Sequence, residues 1–278
     1  MAQRSSSVIK AVLIDITGVL YESGSGCAIP GSIDAVRRLR DSKIAFKFVT
    51  NETQNTRSGL VAKLASYGYS PDLVSSEDIH APAPATREYL EKHGLRRPML
   101  LVHPDVRPEF EGLLPATGGE DADVVVMGDA AEGFSYENLN NVFRTLMTMK
   151  NPKLISMGFG KYYKEKGKLV LDVGAYAVGM KHATGVEPII IGKPDARYFE
   201  TSLRSLGVQA SEAAMIGDDI VSDVGAAQAL GLTGILVRTG KFRVGRDDQH
   251  PTVKPDAIVD NFAAAVDLIL QRTSSQPV

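Results

Sequence analysis

Four apolar runs in this chain each end in a short group of polar residues of the kind that binds ions or phosphate. The carboxyl ends of parallel strands open on one crevice, where ligands bind. We therefore expect the four groups to meet at one edge of a sheet. They are Asp15-Ile16-Thr17-Gly18 after 11–14, Thr50-Asn51 after 46–49, Gly192-Lys193-Pro194 after 189–191, and Gly217-Asp218-Asp219 after 214–216.

The order of the segments predicts the fold class. At both ends of the chain, short apolar runs alternate with amphipathic segments, which is typical of an α/β protein with a doubly wound parallel sheet. The middle has its own apolar runs, a long amphipathic segment at 136–149 and a Lys- and Tyr-rich hairpin at 161–171. We predict a discontinuous core domain, residues 1–92 and 188–278, with a smaller α/β domain, residues 93–187, inserted into it.

Composition narrows the possible partners. The chain has 278 residues, of which 44% are apolar, and its net charge of −2 gives no reason to expect nucleic acid as a partner. Cys27 is the only cysteine, so an intrachain disulfide is impossible. No apolar run approaches the roughly 20 residues that cross a bilayer, and residues 1–7 carry no signal-peptide hydrophobic region. We expect no membrane association and a cytoplasmic location.

Asp15 is the strongest candidate for chemistry. An Asp at the end of a strand often only caps a helix or holds a turn. However, Gly18 allows close backbone approach to a ligand, and a carboxylate at a buried strand end requires a cation. Mg²⁺ prefers carboxylate, carbonyl and water oxygens as ligands. The chemistry indicated for Asp15 is nucleophilic attack on phosphorus, which forms an aspartyl-phosphate.

The acidic group at 217–223 also indicates a cation. Adjacent carboxylates repel each other, and Asp219 and Asp223 have the spacing of a like-charge pair on a helix. We expect Asp218 to be a direct ligand of the metal ion. Asp219 or Asp223 would then fix the orientation of metal-bound water or of Lys193.

The remaining two groups fit a phosphoryl group. Thr50-Asn51 has the residue types of a plain helix N-cap, but hydroxyl, amide and backbone N–H groups at a helix N-terminus also bind phosphate oxygens. A surface Lys is usually only solvated. Pro194 suits the first turn of a helix and would hold Lys193 at the mouth of the crevice. There Lys193 could neutralise phosphoryl charge and keep Asp15 ionised.

Together these residues, in this order, resemble the haloacid dehalogenase superfamily of phosphotransferases, in the branch with a large cap inserted between the second and third motifs. The resemblance covers almost the whole chain. It implies Mg²⁺ as cofactor, a homodimer and a cytoplasmic location, and it leaves open a nuclear location in addition. It implies catalytic roles for Asp15, Thr17 and Lys193, metal ligation by Asp15, the Thr17 carbonyl and Asp218, and substrate contacts by Asp15, Ile16, Thr17, Thr50, Asn51 and Lys193.

Further segments resemble one group of capped phosphatases within this superfamily, which acts on phospholysine, phosphohistidine, imidodiphosphate and inorganic pyrophosphate. The segments are 15–21, 81–85, 134–136, 160–164, 192–194, 215–221 and 238–242. The expected function is therefore a Mg²⁺-dependent hydrolase of P–N and P–O–P bonds. Its partners would be small phosphorylated molecules or phosphorylated Lys and His side chains.

Thr17 is the main departure from the superfamily pattern. Most of its phosphatases have a second Asp at this position, which protonates the leaving oxygen, and threonine cannot do so near neutral pH. General acid catalysis is worth about 10²–10⁴-fold, and alkoxide leaving groups would suffer most from its loss. Amine, imidazole and phosphate leaving groups need less help. Thr17 thus favours P–N and P–O–P substrates.

Two alternatives stay open at this point. The chain could be a general phosphatase of small phosphoesters in the same capped branch. It could also be a phosphate-binding regulatory protein with little turnover, because a fold alone does not prove activity.

Overall fold

The computed structural model describes residues 8–165 and 168–274, in which strands alternate with helices. Residues 1–7, where we predict no signal sequence, lie outside this part. The strands described are β1 (Ala11–Ile14), β2 (Ala45–Val49), β3 (Ile79–His80), β4 (Pro98–Leu101), β5 (Val124–Met127), β6 (Leu154–Ser156), β7 (Tyr162–Glu165), β8 (Lys168–Leu171), β9 (Pro188–Ile190), β10 (Ala213–Gly217), β11 (Thr233–Val237) and β12 (Ala257–Val259).

The α-helices follow the amphipathic segments of the sequence. They are α1 (Ser32–Asp41), α2 (Arg57–Ser66), α3 (Pro82–Lys92), α4 (Tyr136–Thr148), α5 (Val173–Thr184), α6 (Ala196–Leu206), α7 (Ala226–Ala229) and α8 (Phe262–Ser274). A π-helix, Ile220–Gly225, directly precedes α7. Among the described residues, no helix is both long enough and apolar enough to cross a membrane.

The chain divides into two compact units. The first consists of Met1–Thr50, Val61–Ile79 and Ala196–Val278, and the second of Asn51–Leu60 and His80–Asp195. The second unit contains all of 93–187 and further residues on both sides of it. The domain boundaries 1–92 with 188–278, and 93–187, stay a prediction.

The first unit is built on a six-stranded sheet with the order β12-β11-β10-β1-β2-β3. The pairs that β1 forms with β2 and β10, and that β11 forms with β10 and β12, are all parallel. The chain proceeds from β1 toward β2 in one direction and from β10 toward β12 in the other. The predicted doubly wound α/β fold is therefore confirmed. All four residues of β1 are fully buried, as expected for a central strand covered on both faces.

The second unit has a parallel sheet of its own, with the order β4-β5-β6-β9, and an antiparallel hairpin of β7 and β8. Strand β9 pairs with β6, with Ile189 opposite Ile155. Lys193 therefore follows a strand of the second sheet, and the expectation that all four polar groups end strands of one sheet is wrong. The isoleucine run predicts a strand, but it carries no information about which strand becomes its neighbour.

In helix α1 the residue whose type favours an N-cap does not occupy the cap position. Ser32 is a plausible N-cap by residue type, but Gly31 occupies the cap position, with a φ of 80°, and Ser32 is the first helical residue. The Ser32 hydroxyl is buried, where it donates to the Ile29 carbonyl at 2.6 Å and bonds to the Tyr69 hydroxyl at 2.7 Å. Its role is to satisfy polar groups beneath the helix rather than to cap it.

Candidate active site

Asp15 lies directly after β1, the central strand of the first sheet. Its backbone N–H continues the pairing with β10 by donating to the Ile216 carbonyl at 2.9 Å. The residue exposes only 8% of its surface. The strand register thus places the carboxylate of Asp15 beside the end of β10, where Asp218 follows.

Asp218 is enclosed by two glycines and one backbone amide. A Cβ atom added to Gly18 would lie 2.1 Å from Asp218 Oδ2, and one added to Gly240 would lie 1.9 Å from the same atom. Both glycines have positive φ, 90° and 61°. Glycine therefore permits the backbone conformation at these positions and also leaves room for the Asp218 carboxylate. The Lys241 backbone N–H donates to Asp218 Oδ2 at 2.7 Å. Asp218 is therefore fixed in one orientation.

Asp223 returns to the same edge from the π-helix. A Cβ at Gly217 would lie 2.3 Å from both the Cβ and the Oδ2 of Asp223, so only glycine fits beneath this side chain. Asp223 Oδ2 accepts a hydrogen bond from the Asp219 N–H at 3.1 Å. Sequence reasoning gave Asp223 an orienting role, and the structure brings its carboxylate beside the other two.

The carboxylates of Asp15, Asp218 and Asp223 each offer an oxygen, and these three oxygens lie within 4.8 Å of one another. Burial, and then the negative charges of Asp15 and Asp223, raise the pKa of Asp218 well above its ordinary value, although Lys241 opposes this. Asp218 Oδ1 is buried and has no hydrogen-bond partner among the described residues. A buried acceptor of this kind costs about 1–3 kcal/mol when it is left unsatisfied. A divalent cation would offset the repulsion between the carboxylates and would also give Asp218 Oδ1 a partner. The three residues therefore fit Mg²⁺, which prefers oxygen ligands.

Asp219 and Lys241 form an ion pair beside this cluster. Asp219 Oδ1 accepts from the backbone N–H groups of Val221 and Ser222, at 3.0 and 2.9 Å, and so caps the π-helix. Lys241 Nζ lies 3.3 Å from Asp219 Oδ2, with 59% of the lysine side chain exposed. Burial raises the pKa of Asp219, but the charge of Lys241 and the two N–H groups lower it by more than burial raises it. The pKa of Asp219 therefore lies below its ordinary value. The predicted role of Asp219 in orienting metal-bound water stays a prediction.

Ile16 and Thr17 form the turn after Asp15. The Ile16 carbonyl accepts from the N–H groups of Val19 and Leu20, at 3.3 and 2.8 Å. The Thr17 hydroxyl lies 3.0 Å from the Tyr21 hydroxyl, which is buried. The turn is thus held by its own hydrogen bonds. The roles of Ile16 in substrate contact and of the Thr17 carbonyl in metal ligation stay predictions.

Thr50 directly follows β2 and is 2% exposed. Its carbonyl accepts a hydrogen bond from the Tyr198 hydroxyl at 2.8 Å, so α6 anchors this end of the strand. Burial, and then the negative charge of Asp15, raise the pKa of Tyr198 well above its ordinary value. Tyr198 therefore remains a neutral donor, and Thr50 and Asp15 share one neighbour.

Asn51 and Lys193 lie in the second unit, where the structure brings them together. Asn51 Nδ2 donates to the Lys193 carbonyl at 2.9 Å, and the Lys193 N–H donates to Asn51 Oδ1 at 2.8 Å. Lys193 is 3% exposed. The amide of Asn51 therefore clamps the backbone of Lys193. Substrate contact by either residue, and the action of Lys193 on Asp15, stay predictions.

Sequence reasoning assigned no role to Gly240 and Lys241. The segment 238–242 resembles known phosphatases, but no residue type in it indicates a metal ligand. The segment acts through its backbone. Gly240 lies against the Asp218 carboxylate, and the Lys241 N–H donates a hydrogen bond to it. A Thr-Gly-Lys triplet after an apolar strand is the only signal that the sequence offers.

Comparison with known proteins identifies the family. The haloacid dehalogenase-like hydrolase profile matches residues 12–113, and a HAD-hydrolase-like profile matches residues 190–265. The chain is 48% identical to phospholysine phosphohistidine inorganic pyrophosphate phosphatase of Rattus norvegicus. The similarity extends over 272 residues and covers 97% of both chains. It is 47% identical to the Homo sapiens protein of the same name, over 95% of both chains.

A solved structure supports the fold. The 4-nitrophenylphosphatase from Thermotoga maritima superposes with a TM-score of 0.83 at 25% identity, covering 94% of this chain and 97% of that one. The inserted α/β architecture predicted from the sequence therefore recurs in a phosphatase. With nearly half of its residues identical to named phosphatases over almost its full length, this chain belongs to the haloacid dehalogenase-like hydrolases and is a hydrolase of the phosphatase type.

Proposed function

We propose that this protein is a Mg²⁺-dependent phosphohydrolase that acts through an aspartyl-phosphate on P–N and P–O–P bonds. The observation that carries the proposal is the cluster of three buried carboxylates, whose ligand atoms lie within 4.8 Å of one another. Three such groups can coexist ionised at this spacing only when a cation compensates them. The names of the relatives supply the substrate class.

Asp15, Asp218 and Asp223 would hold the Mg²⁺ ion, with the Thr17 carbonyl as the further ligand implied by the resemblance. When bound, the ion supplies positive charge that offsets the charge on the phosphoryl oxygens. The chain itself fixes the ligands in advance. Asp218 is held between Gly18, Gly240 and the Lys241 N–H, so little reorganisation is needed at the moment of reaction.

The reaction would proceed in two steps on Asp15. The carboxylate attacks phosphorus in line with the leaving group, while Thr50, Asn51 and Lys193 bind the phosphoryl oxygens and neutralise their charge. Water then hydrolyses the aspartyl-phosphate and restores Asp15. Residues 93–187 would act as the cap domain and limit access of bulk water during both steps.

Thr17 supports the substrate class. Its hydroxyl, bonded to Tyr21 at 3.0 Å, cannot donate a proton near neutral pH as an aspartic acid would. Leaving groups that need no strong acid are therefore favoured, namely the amine of phospholysine, the imidazole of phosphohistidine, and phosphate from pyrophosphate or imidodiphosphate. We further propose a homodimer in the cytoplasm with a nuclear pool, which light scattering and fractionation would test.

Release of inorganic phosphate from pyrophosphate, phosphohistidine and an alkyl phosphate tests the proposal. We expect turnover of the first two with Mg²⁺, none after chelation, and loss of at least about 10³-fold in Asp15→Asn, because the nucleophile is removed. Asp34→Asn is the matched control, since Asp34 is 65% exposed on α1. A preference for the alkyl phosphate would indicate a general phosphoesterase. No release from any substrate would contradict the proposal and leave a phosphate-binding protein.

A further inference from the structure

Three side chains of the second unit form a polar cluster that the proposed function does not use. Gln54 Nε2 donates to Asp129 Oδ2 at 2.8 Å and to the Tyr163 hydroxyl at 3.3 Å. Asp129 lies two residues after β5, and Tyr163 lies on β7 of the hairpin. We refer to Gln54, Asp129 and Tyr163 as the Gln54 cluster.

The Gln54 cluster lies near the predicted phosphate-binding residue Lys193. Strands β5 and β9 belong to the same parallel sheet with β6 between them, so their carboxyl ends open on one edge about 10 Å apart. The segment 51–54 spans this distance. It is bonded to Lys193 through Asn51, and its Thr53 hydroxyl accepts from the Asp129 N–H at 2.9 Å.

Asp129 brings a negative charge to this edge. It is 7% exposed, and its second carboxylate oxygen accepts from the Ala131 N–H at 2.9 Å. Both of its donors, Gln54 and Ala131, are neutral, and among the side chains that the structure describes no cationic one pairs with it. A buried carboxylate without a cation produces a field that favours positive and disfavours negative groups nearby.

Asp129 also decides which atom Gln54 presents. An ionised carboxylate only accepts hydrogen bonds, so the Gln54 NH₂ group must face it and the amide oxygen must face away. In the described part of the chain, Gln54 Oε1 accepts no hydrogen bond. Gln54 is only partly buried. The cluster therefore offers an acceptor, backed by a negative charge, to a ligand that carries an N–H group.

We propose that the Gln54 cluster is a leaving-group subsite that selects amine and imidazole leaving groups over phosphate. The inference rests on the proposed function. The bond from the nucleophile to phosphorus forms as the P–N bond breaks, and the leaving nitrogen keeps the electron pair of that bond. A phospholysine nitrogen that is already protonated leaves as the neutral amine, and a phosphohistidine ring that is protonated on its other nitrogen leaves as neutral imidazole. The N–H of the leaving group donates to Gln54 Oε1. Asp129 acts through Gln54 and by its charge, so it is a positioning residue.

Asp129→Asn tests this subsite, because the amide keeps the shape and the bond from Ala131 but removes the charge and the fixed orientation of Gln54. The ratio of kcat/KM for phosphohistidine to kcat/KM for pyrophosphate should fall about tenfold, the effect of one charge about 10 Å away in a partly polar site. Gln54→Ala should lower the same ratio about fivefold through loss of one hydrogen bond. Asp105→Asn, with 74% of the Asp105 side chain exposed in the same unit, should leave the ratio unchanged.

The outcomes separate this inference from the function on which it rests. If wild-type protein releases phosphate from neither substrate, the proposed function fails. If wild-type protein is active but neither variant at Asp129 or Gln54 changes the ratio, the subsite is overturned while the function stands. Equal losses on both substrates would also overturn it, because a purely structural role moves both rates together. Should Asp129→Asn not fold, Gln54→Ala alone decides the question.

Discussion

Replacing Asn51 by Ala removes the two hydrogen bonds that the Asn51 amide makes with the backbone of Lys193. Those bonds are 2.9 Å from Asn51 Nδ2 to the carbonyl and 2.8 Å from the Lys193 N–H to Asn51 Oδ1. Lys193 is 3% exposed, so water cannot readily replace the lost partners. The variant therefore takes the Asn51 partner away from one buried donor and one buried acceptor.

The magnitude follows from these two groups. Each buried polar group that loses its partner costs about 1–3 kcal/mol, so the loss of two should lower the free energy of unfolding of Asn51→Ala by about 2–6 kcal/mol. Asn51→Asp keeps the acceptor for the Lys193 N–H and loses only the donor, so its cost should be about half. Lys193 would also lose its fixed position, so we expect kcat/KM to fall at least about tenfold in Asn51→Ala.

Urea unfolding followed by circular dichroism measures the effect, since the chain has no tryptophan to serve as a fluorescent probe. Asn138→Ala is the matched control, because that exposed amide makes a single side-chain bond, to the Gly133 carbonyl at 2.9 Å. The expected order of destabilisation is Asn51→Ala, then Asn51→Asp, then the control. A loss under about 0.5 kcal/mol in Asn51→Ala, the range of ordinary surface substitutions, would refute the clamp.

Three further predictions concern the first unit. Gly240→Ala should weaken Mn²⁺ binding in calorimetry at least about tenfold, because the new Cβ would lie 1.9 Å from Asp218 Oδ2. Gly245→Ala is the control, since Gly245 also has a positive φ, 77°, but has open space around it, and this variant should bind Mn²⁺ normally. Equal affinities in the two variants would contradict the prediction. Thr17→Asp should raise turnover of alkyl phosphate relative to pyrophosphate by about tenfold or more, and an unchanged ratio would count against the role of Thr17. Burial raises the pKa of Tyr69 to about 12, opposed by its bond to a serine hydroxyl. The folded protein thus holds this proton more tightly than the unfolded chain, so stability should fall by up to about 2.7 kcal/mol between pH 10 and 12; Tyr69→Phe should lack this loss in alkaline unfolding, and an identical pH profile would be inconsistent with it.

Much of the secondary structure follows from local patterns. The apolar runs 233–237 and 257–259 predict strands, and β11 and β12 have the same bounds. The hairpin of β7 and β8 lies within the predicted segment 161–171. Strand β3 was not predicted, because two residues at the edge of a sheet have no periodicity to detect. The helix after Asp219 begins as a π-helix, a local widening that no residue type indicates.

The candidate site was predictable in its residue types but not in its assembly. Asp15 and Asp218 stand out as acids at the ends of apolar strands, and the parallel register of β1 and β10 brings them together. Asp223 joins them because Gly217 leaves space for its side chain. The Lys241 N–H has no sequence signature, since any residue except proline could donate it.

By itself, the sequence determined the fold class, the acids of the carboxylate cluster and the departure at Thr17, because these depend on local periodicity and on which functional groups are present. The tertiary structure alone decided that β9 pairs within the second sheet, that the Asn51 amide binds the Lys193 backbone, and that Asp129 orients Gln54. Each of these depends on contacts between segments that are distant in the chain. Hydrogen bonds of that kind produce no periodic pattern in the sequence, so the sequence alone does not predict them.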